Sequence, residues 1–179
     1  MADDRIAYVA KSIRNIPDWP KPGIQFKDVT TLLLDPKAFQ HTVDMMVERY
    51  KDKKIDVVCG FEARGFIFGP PVALALGCAF VPLRKPKKLP GETIGEDYQL
   101  EYGTDRIEMH VGHVKEGANV LLVDDLIATG GTMGAGINLV KRVGANVVEV
   151  AAVIELPDLG GRAKLGDTPV FTIVGFEGH

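Results

Sequence analysis

The stretch Val120-Leu-Leu-Val-Asp-Asp-Leu-Ile-Ala-Thr-Gly-Gly-Thr132 constrains the fold more than any other part of the chain. It begins as a short apolar run, the pattern of a parallel strand buried on both faces. Two adjacent carboxylates, Asp124 and Asp125, stand where that strand is expected to end. A Thr-Gly-Gly-Thr turn follows, and from Met133 to Val143 the spacing turns helical, with Ile137 and Val140 on one face, Lys141 and Arg142 in the last turn and Gly144 as the terminating glycine. Strand, acidic tip, glycine loop and helix in that order define the ligand-binding edge of an open α/β sheet.

The loop has a specific chemistry. Residues 129–132 expose backbone N–H groups at a helix N-terminus, where the macrodipole favours an anion, and two threonine hydroxyls add donors. This is a cradle for a phosphate monoester. Asp124 and Asp125 repel a phosphate; they suit neutral donors such as ribose hydroxyls, or a hydrated Mg²⁺. Phosphate at the loop and diol at the acids describe a ribose 5-phosphate. No Gly-Lys-Ser/Thr follows the glycines and the G-x-G-x-x-G spacing is missing, so neither a Walker A loop nor a dinucleotide fingerprint is present.

The remaining chain alternates strands and helices. Ile6, Val9, Ala10 and Ile13 predict a short amphipathic helix. Residues 16–28 are too proline-rich for helix or central strand, yet Trp19, Ile24 and Phe26 are too apolar for a solvated linker. Residues 24–27 are expected to be extended and to offer backbone groups to the edge of a planar base. Asp35-Pro36 caps a helix carrying Phe39, Val43, Met46, Val47 and Tyr50. Asp56-Val-Val-Cys59 reads as a buried strand ending in the loop Gly60-Phe-Glu-Ala-Arg-Gly65. A helix follows, expected to kink or restart at Pro70-Pro71. Residues 79–83, 105–111, 147–154 and 170–174 read as strands, and residues 157–167 as a surface loop or short helix. The alternation predicts a mainly parallel sheet flanked by helices.

With 179 residues the chain fits a single domain over residues 1–179. A net charge of −3 points away from nucleic acid and membrane surfaces as partners. No apolar stretch approaches the ~20 residues of a membrane span, and the acidic N-terminus lacks the apolar centre of a secretion signal. Cys59 and Cys78 read as buried thiols of a cytoplasmic protein. The four histidines lack metal-ligand spacing.

Leu122-Val-Asp-Asp-Leu-Ile-Ala-Thr-Gly-Gly-Thr132 resembles the phosphoribosyl diphosphate (PRPP) motif of type I phosphoribosyltransferases. Other stretches resemble the adenine-using branch of that family. Residues 13–28 look like its N-terminal hood, within a hood segment of residues 1–34. Phe61-Glu-Ala-Arg-Gly-Phe-Ile-Phe-Gly69 looks like its diphosphate loop. Arg84-Lys-Pro-Lys-Lys-Leu-Pro-Gly91 and Tyr98-Gln-Leu-Glu-Tyr-Gly103 look like the two ends of its flexible flap, residues 84–106. The resemblance implies a type I phosphoribosyltransferase fold and transfer of the 5-phosphoribosyl group from PRPP to adenine, giving AMP and diphosphate. It implies Mg²⁺ as cofactor, held through diphosphate and ribose without a dedicated protein cluster, and a homodimer.

The implied roles follow residue by residue. Ala128, Thr129, Gly130, Gly131 and Thr132 bind the phosphate, and Asp124 and Asp125 serve the ribose. Because neighbouring strand residues face opposite ways, the two acids are expected to differ in role. Ala63, Arg64, Arg84 and Lys88 hold the diphosphate, and a cis peptide falls at Glu62-Ala63. Gln25, Phe26 and Lys27 hold adenine, the first and last through backbone groups. Glu101 takes the proton that adenine must lose at N9, Tyr102 closes the flap, and Arg64 stabilises the leaving group. Three rivals stand beside this reading. One is a transferase for hypoxanthine, guanine, xanthine or orotate, against which the hood argues. Another is a non-catalytic PRPP-binding regulator, for which spare length and a basic face are missing. The third is a diphosphokinase making PRPP, which would need an ATP site and considerably more chain.

Overall fold

The apolar run at residues 120–123 lies in the central strand of a five-stranded sheet. The computed structural model describes residues 2–100 and 102–178. In chain order it has α1 (Asp4–Ser12), β1 (Arg14–Pro17), β2 (Gln25–Asp28), a 3-10 helix (Val29–Leu34), α2 (Pro36–Tyr50), β3 (Val57–Phe61), α3 (Gly65–Leu76), β4 (Ala79–Leu83), β5 (Thr93–Gln99), β6 (Thr104–His110), β7 (Asn119–Ile127), α4 (Gly131–Arg142), β8 (Asn146–Glu155), a 3-10 turn (Pro157–Leu159), α5 (Gly161–Lys164) and β9 (Val170–Gly175). The main sheet is parallel, in the order β4-β3-β7-β8-β9. Two antiparallel ribbons, β1-β2 and β5-β6, stand outside it.

Alternation along β7 explains why its run is continuously apolar. Val120 and Leu122 join the core with Ile137 and Val140 of α4, while Leu121 and Val123 join the core with Met46 of α2 and Phe68 of α3. All four are fully buried, as a strand covered by helices on both faces requires. The α2 cap forms as expected, the Asp35 carboxylate accepting from the Lys37 N–H with Pro36 in the first turn. Among the described residues no helix is long and apolar enough to cross a membrane.

Several boundaries differ from expectation. Strand β7 continues past both acids to Ile127, because β8 pairs with it as far as Glu155. Helix α3 runs unbroken through Pro70 and Pro71, although neither can donate to the carbonyl four residues back. Val111, expected to alternate inward with Ile107 and Met109, lies outside β6 and is exposed. Strand β5 has no counterpart among the expected strands: Thr-Ile-Gly-Glu-Asp-Tyr-Gln carries few apolar residues, and α4 covers it. Within the expected flap, therefore, residues 93–99 form half of an ordered ribbon that buries Tyr98 in the main core.

Candidate active site

The carboxyl end of β7 and the N-terminus of α4 enclose a cavity of about 190 Å³. It is lined by Arg64, Asp124, Asp125, Ala128, Thr129, Gly130, Gly131 and Thr132, with Leu126, Ile127 and Met133. Gly130 precedes α4 with φ of 82°, in the left-handed region that glycine adopts at little cost. Among the described residues no side chain caps this helix. Its first-turn N–H groups therefore stand at the cavity without a capping partner, the arrangement that anion binding requires.

The two acids sit in different surroundings. Asp125 is 6 % exposed, and its Oδ2 accepts from Arg64 Nε. Asp124 Oδ1 accepts from the Asp125 N–H at 2.8 Å. Burial, and then the neighbouring charge of Asp125, push the Asp124 carboxyl well above the usual carboxylate range. Arg64, which the resemblance assigns to the diphosphate, is thus drawn towards the ribose acids.

The peptide Glu62-Ala63 is cis, as the resemblance implied. Glu62 Oε1 accepts from the Lys85 N–H at 2.5 Å and lies 3.3 Å from Arg84 Nε. Arg84 Nη1 reaches the Lys88 carbonyl at 3.4 Å, and the Lys88 side chain is exposed. Lys85, hidden in the sequence inside a basic run, has a distinct task. Its ammonium donates to Tyr98 Oη at 2.7 Å and to the Asp105 carboxylate, tying the end of β4 to the β5-β6 ribbon. Asp105 is held below the usual carboxylate range by Lys85, against the opposing effect of burial. The far end of β5 reaches the cradle: a Cβ built on Gly131 would lie 3.4 Å from the Tyr98 ring and 3.5 Å from the Gln99 carbonyl oxygen.

Tyr102 is 83 % exposed and lines an open space of about 690 Å³ with Gln99, Leu100, Thr129 and Lys164. Glu101 lies outside the described residues. Gln25, Phe26 and Lys27 form β2 and line neither of these cavities. Phe26 meets Trp19 edge-on with ring centroids 4.5 Å apart. Asn15 of β1 donates to Gln25 Oε1 at 2.6 Å and accepts from Lys27 Nζ at 3.0 Å. Arg14 of β1 pairs with Asp28 of β2 at 2.5 Å, joining the two strands of the ribbon. The structure therefore brings together the expected phosphate and ribose residues with Arg64, sets Tyr102 beside Thr129, and leaves the base-reading segment on a separate ribbon.

Most of the chain is similar to known proteins. A phosphoribosyl transferase domain model matches residues 28–178. Adenine phosphoribosyltransferase 1 of Triticum aestivum is 68% identical over 173 residues, covering 97% of this chain and 96% of the relative. The chloroplastic adenine phosphoribosyltransferase 1 of Arabidopsis thaliana is 64% identical, covering 96% of this chain and 71% of the relative. Among solved structures, the Saccharomyces cerevisiae adenine phosphoribosyltransferase, complexed with an imino-altritol bisphosphate and adenine, aligns with a TM-score of 0.90 at 41% identity, covering 96% of this chain and 99% of that one.

Proposed function

The chain belongs to the phosphoribosyltransferase family and has its type I fold, and from that premise we infer that it transfers the 5-phosphoribosyl group from PRPP to adenine, releasing diphosphate and forming AMP. The observation that carries this reading is the single cavity where an uncapped helix N-terminus faces two carboxylates and Arg64. Relatives at 64–68% identity carry the adenine-specific name.

In this reading the C1–O bond to diphosphate breaks as adenine N9 forms its bond to C1. Positive charge gathers on the sugar and negative charge on the leaving group. Residues 128–132 hold the 5-phosphate and Asp124 and Asp125 orient the ribose hydroxyls. Arg64, Arg84, Lys88 and the Ala63 N–H receive the departing diphosphate. Glu101 accepts the N9 proton and Tyr102 shields the sugar. Phe26 packs on the adenine ring, while backbone groups of Gln25 and Lys27 read its edge.

Among the described residues no three His, Cys, Asp or Glu side chains gather to hold a metal. The nearby donors, the Asp124 and Asp125 carboxylates, are hard oxygen ligands of the kind Mg²⁺ accepts alongside substrate oxygens. When bound there, Mg²⁺ would screen the diphosphate charge. The reading extends to a homodimer, as the family resemblance implies. It also extends to the cytoplasm, for which the free thiols of Cys59 and Cys78 speak.

The deciding assay supplies PRPP and Mg²⁺ with adenine, hypoxanthine or guanine in turn and follows nucleotide and diphosphate. AMP from adenine with little product from the other bases is expected; its absence would refute the assignment. Replacing Glu101 by alanine should lower kcat by ~10²–10⁴-fold, the usual weight of a general base, and leave AMP affinity unchanged.

A further inference from the structure

Behind the phosphate cradle lies a segment with no role in the reaction described so far, residues 157–165. Its contact with the cradle is made by two facing glycines. A Cβ on Gly161 would lie 2.2 Å from the Ala128 carbonyl oxygen, 3.0 Å from its carbon and 3.0 Å from the Gly130 nitrogen. A Cβ on Gly130 would lie 2.6 Å from the Gly161 carbonyl oxygen. The Ala128 oxygen is closer than its carbon, so that carbonyl is turned onto Gly161. The consequence is electrostatic. A phosphate cradle works by presenting N–H groups and withholding carbonyls, and Gly161 receives the carbonyl at the head of the loop.

The segment that carries Gly161 is pinned from below. Arg162 Nε donates to Glu155 Oε1 at 2.9 Å and Nη2 to Oε2 at 2.5 Å, a two-pronged pair. Its Nη1 donates to the Val170 carbonyl at 2.8 Å. Glu155 is the last residue of β8 and only 9 % exposed. Thr172 of β9 donates to the same carboxylate at 2.9 Å. Burial of the acid is thus matched by four hydrogen bonds around it and its partner, and Arg162 holds the acid below the usual carboxylate range. One residue on, the Leu156 N–H donates to the Ile127 carbonyl at 3.0 Å, joining this anchor to the end of β7. Leu165, 5 % exposed, closes the segment onto the core.

We propose that residues 157–165 are the back wall of the phosphate site and that Arg162, by clamping Gly161 against Ala128 and Gly130, is a positioning residue for binding of the 5-phosphate. Arg162 touches no substrate; it fixes the backbone that does. The inference rests on the assignment of residues 128–132 as the phosphate cradle. It adds a specific expectation: damage to the wall weakens ligands that carry a 5-phosphate and spares those that do not.

The test uses the full chain with Arg162→Met, Arg162→Lys and Gly161→Ala. Titration calorimetry measures AMP and ribose 5-phosphate, and inhibition assays measure diphosphate and the KM values of PRPP and adenine. Arg162→Met should weaken AMP and ribose 5-phosphate roughly tenfold, the scale set by loss of a charge-assisted pair, and raise the KM of PRPP alongside. Adenine KM and diphosphate inhibition should stay within about twofold, and lysine should recover part of the loss. A purely structural role would lower the melting temperature without this selectivity. Unchanged AMP and ribose 5-phosphate affinity in Arg162→Met overturns the proposal, as does an equal loss for diphosphate. If Arg162→Met fails to fold, Gly161→Ala decides by the same selectivity. Failure of the wild-type chain to bind ribose 5-phosphate at all would instead refute the cradle assignment itself.

Discussion

The proposed phosphate cradle hangs from β7, the middle strand of five, whereas Gln25, Phe26 and Lys27 lie on β2, one half of a two-stranded ribbon. The cradle is backed by core on both sheet faces and by Gly161 behind the loop. The ribbon is held by side-chain contacts instead: the Arg14–Asp28 pair, the Asn15 bonds and the Trp19–Phe26 edge contact. Trp19 is 52 % exposed. Two-stranded ribbons are marginal without such support. The difference separates tasks. In the proposed reading, the half of the substrate common to the family is gripped by backbone that the main core immobilises, and the base is met by a peripheral element that can vary without disturbing that core.

The contrast is broken hardest at the cradle. Gly130→Ala forces a side chain onto a left-handed residue and drives its Cβ towards the Gly161 carbonyl. A shift of ~1 Å in a positioning group can cost ~10²-fold, so PRPP and AMP affinity should fall together by about that factor while adenine KM holds. Equal loss for adenine, read by the same titrations, would mean that the two regions are not separable. Phe26→Ala probes the other side. Stacking on a base is worth about 1–3 kcal/mol, so adenine KM should rise by about tenfold with PRPP KM unchanged; the reverse pattern would remove Phe26 from the base site.

The same contrast explains what the sequence made legible. The core of β7 and the cradle could be read because their constraints are local: an apolar run, two acids and a glycine turn in one continuous stretch. The caps at Asp35 and Gly144 were equally local. What escaped depends on partners far along the chain. Lys85 is one of several cations in the expected flap, and its own task shows only once β5 and β6 set Tyr98 and Asp105 around it. Arg162 and Gly161 sat in a segment read as surface, because their partners Glu155, Ala128 and Gly130 reach them only through the packing of β7 beside β8. The extension of β7 beyond its acids was hidden for the same reason: pairing with β8, not the local pattern, sets where it ends.

A smaller effect divides the two acids of the cradle. Asp124 has its folded-state pKa raised by burial and then by Asp125. A carboxyl whose folded pKa is raised favours the folded state below its unfolded value of about 3.8, and that advantage is lost as pH rises through the folded pKa. Ionisation of Asp124 in the folded chain is therefore a burden on stability, one that the proposed ribose role would explain. Asp124→Asn should raise the melting temperature at pH 7 by roughly 2–4 °C, corresponding to about 1 kcal/mol in a chain of this size. The gap between variant and wild-type melting curves should narrow as pH is lowered towards 4. A variant that melts lower at pH 7 would show that the ionised carboxylate is stabilising.

The smallest expected effect is the most informative about the hood. β2 pairs with β1 along one edge and leaves the other unpaired among the described strands, so its backbone has donors and acceptors to offer a planar base. The Gln25 side chain is already engaged by Asn15 on the ribbon itself. Gln25→Ala should therefore change adenine KM by less than about twofold and stability by no more than ~0.5 kcal/mol, as for other surface substitutions, in steady-state kinetics and thermal melts. A loss as large as that of Phe26→Ala would mean that the amide side chain reads the base. The choice of adenine would then be written in residue identity, and the ribbon would be as intolerant of substitution as the cradle.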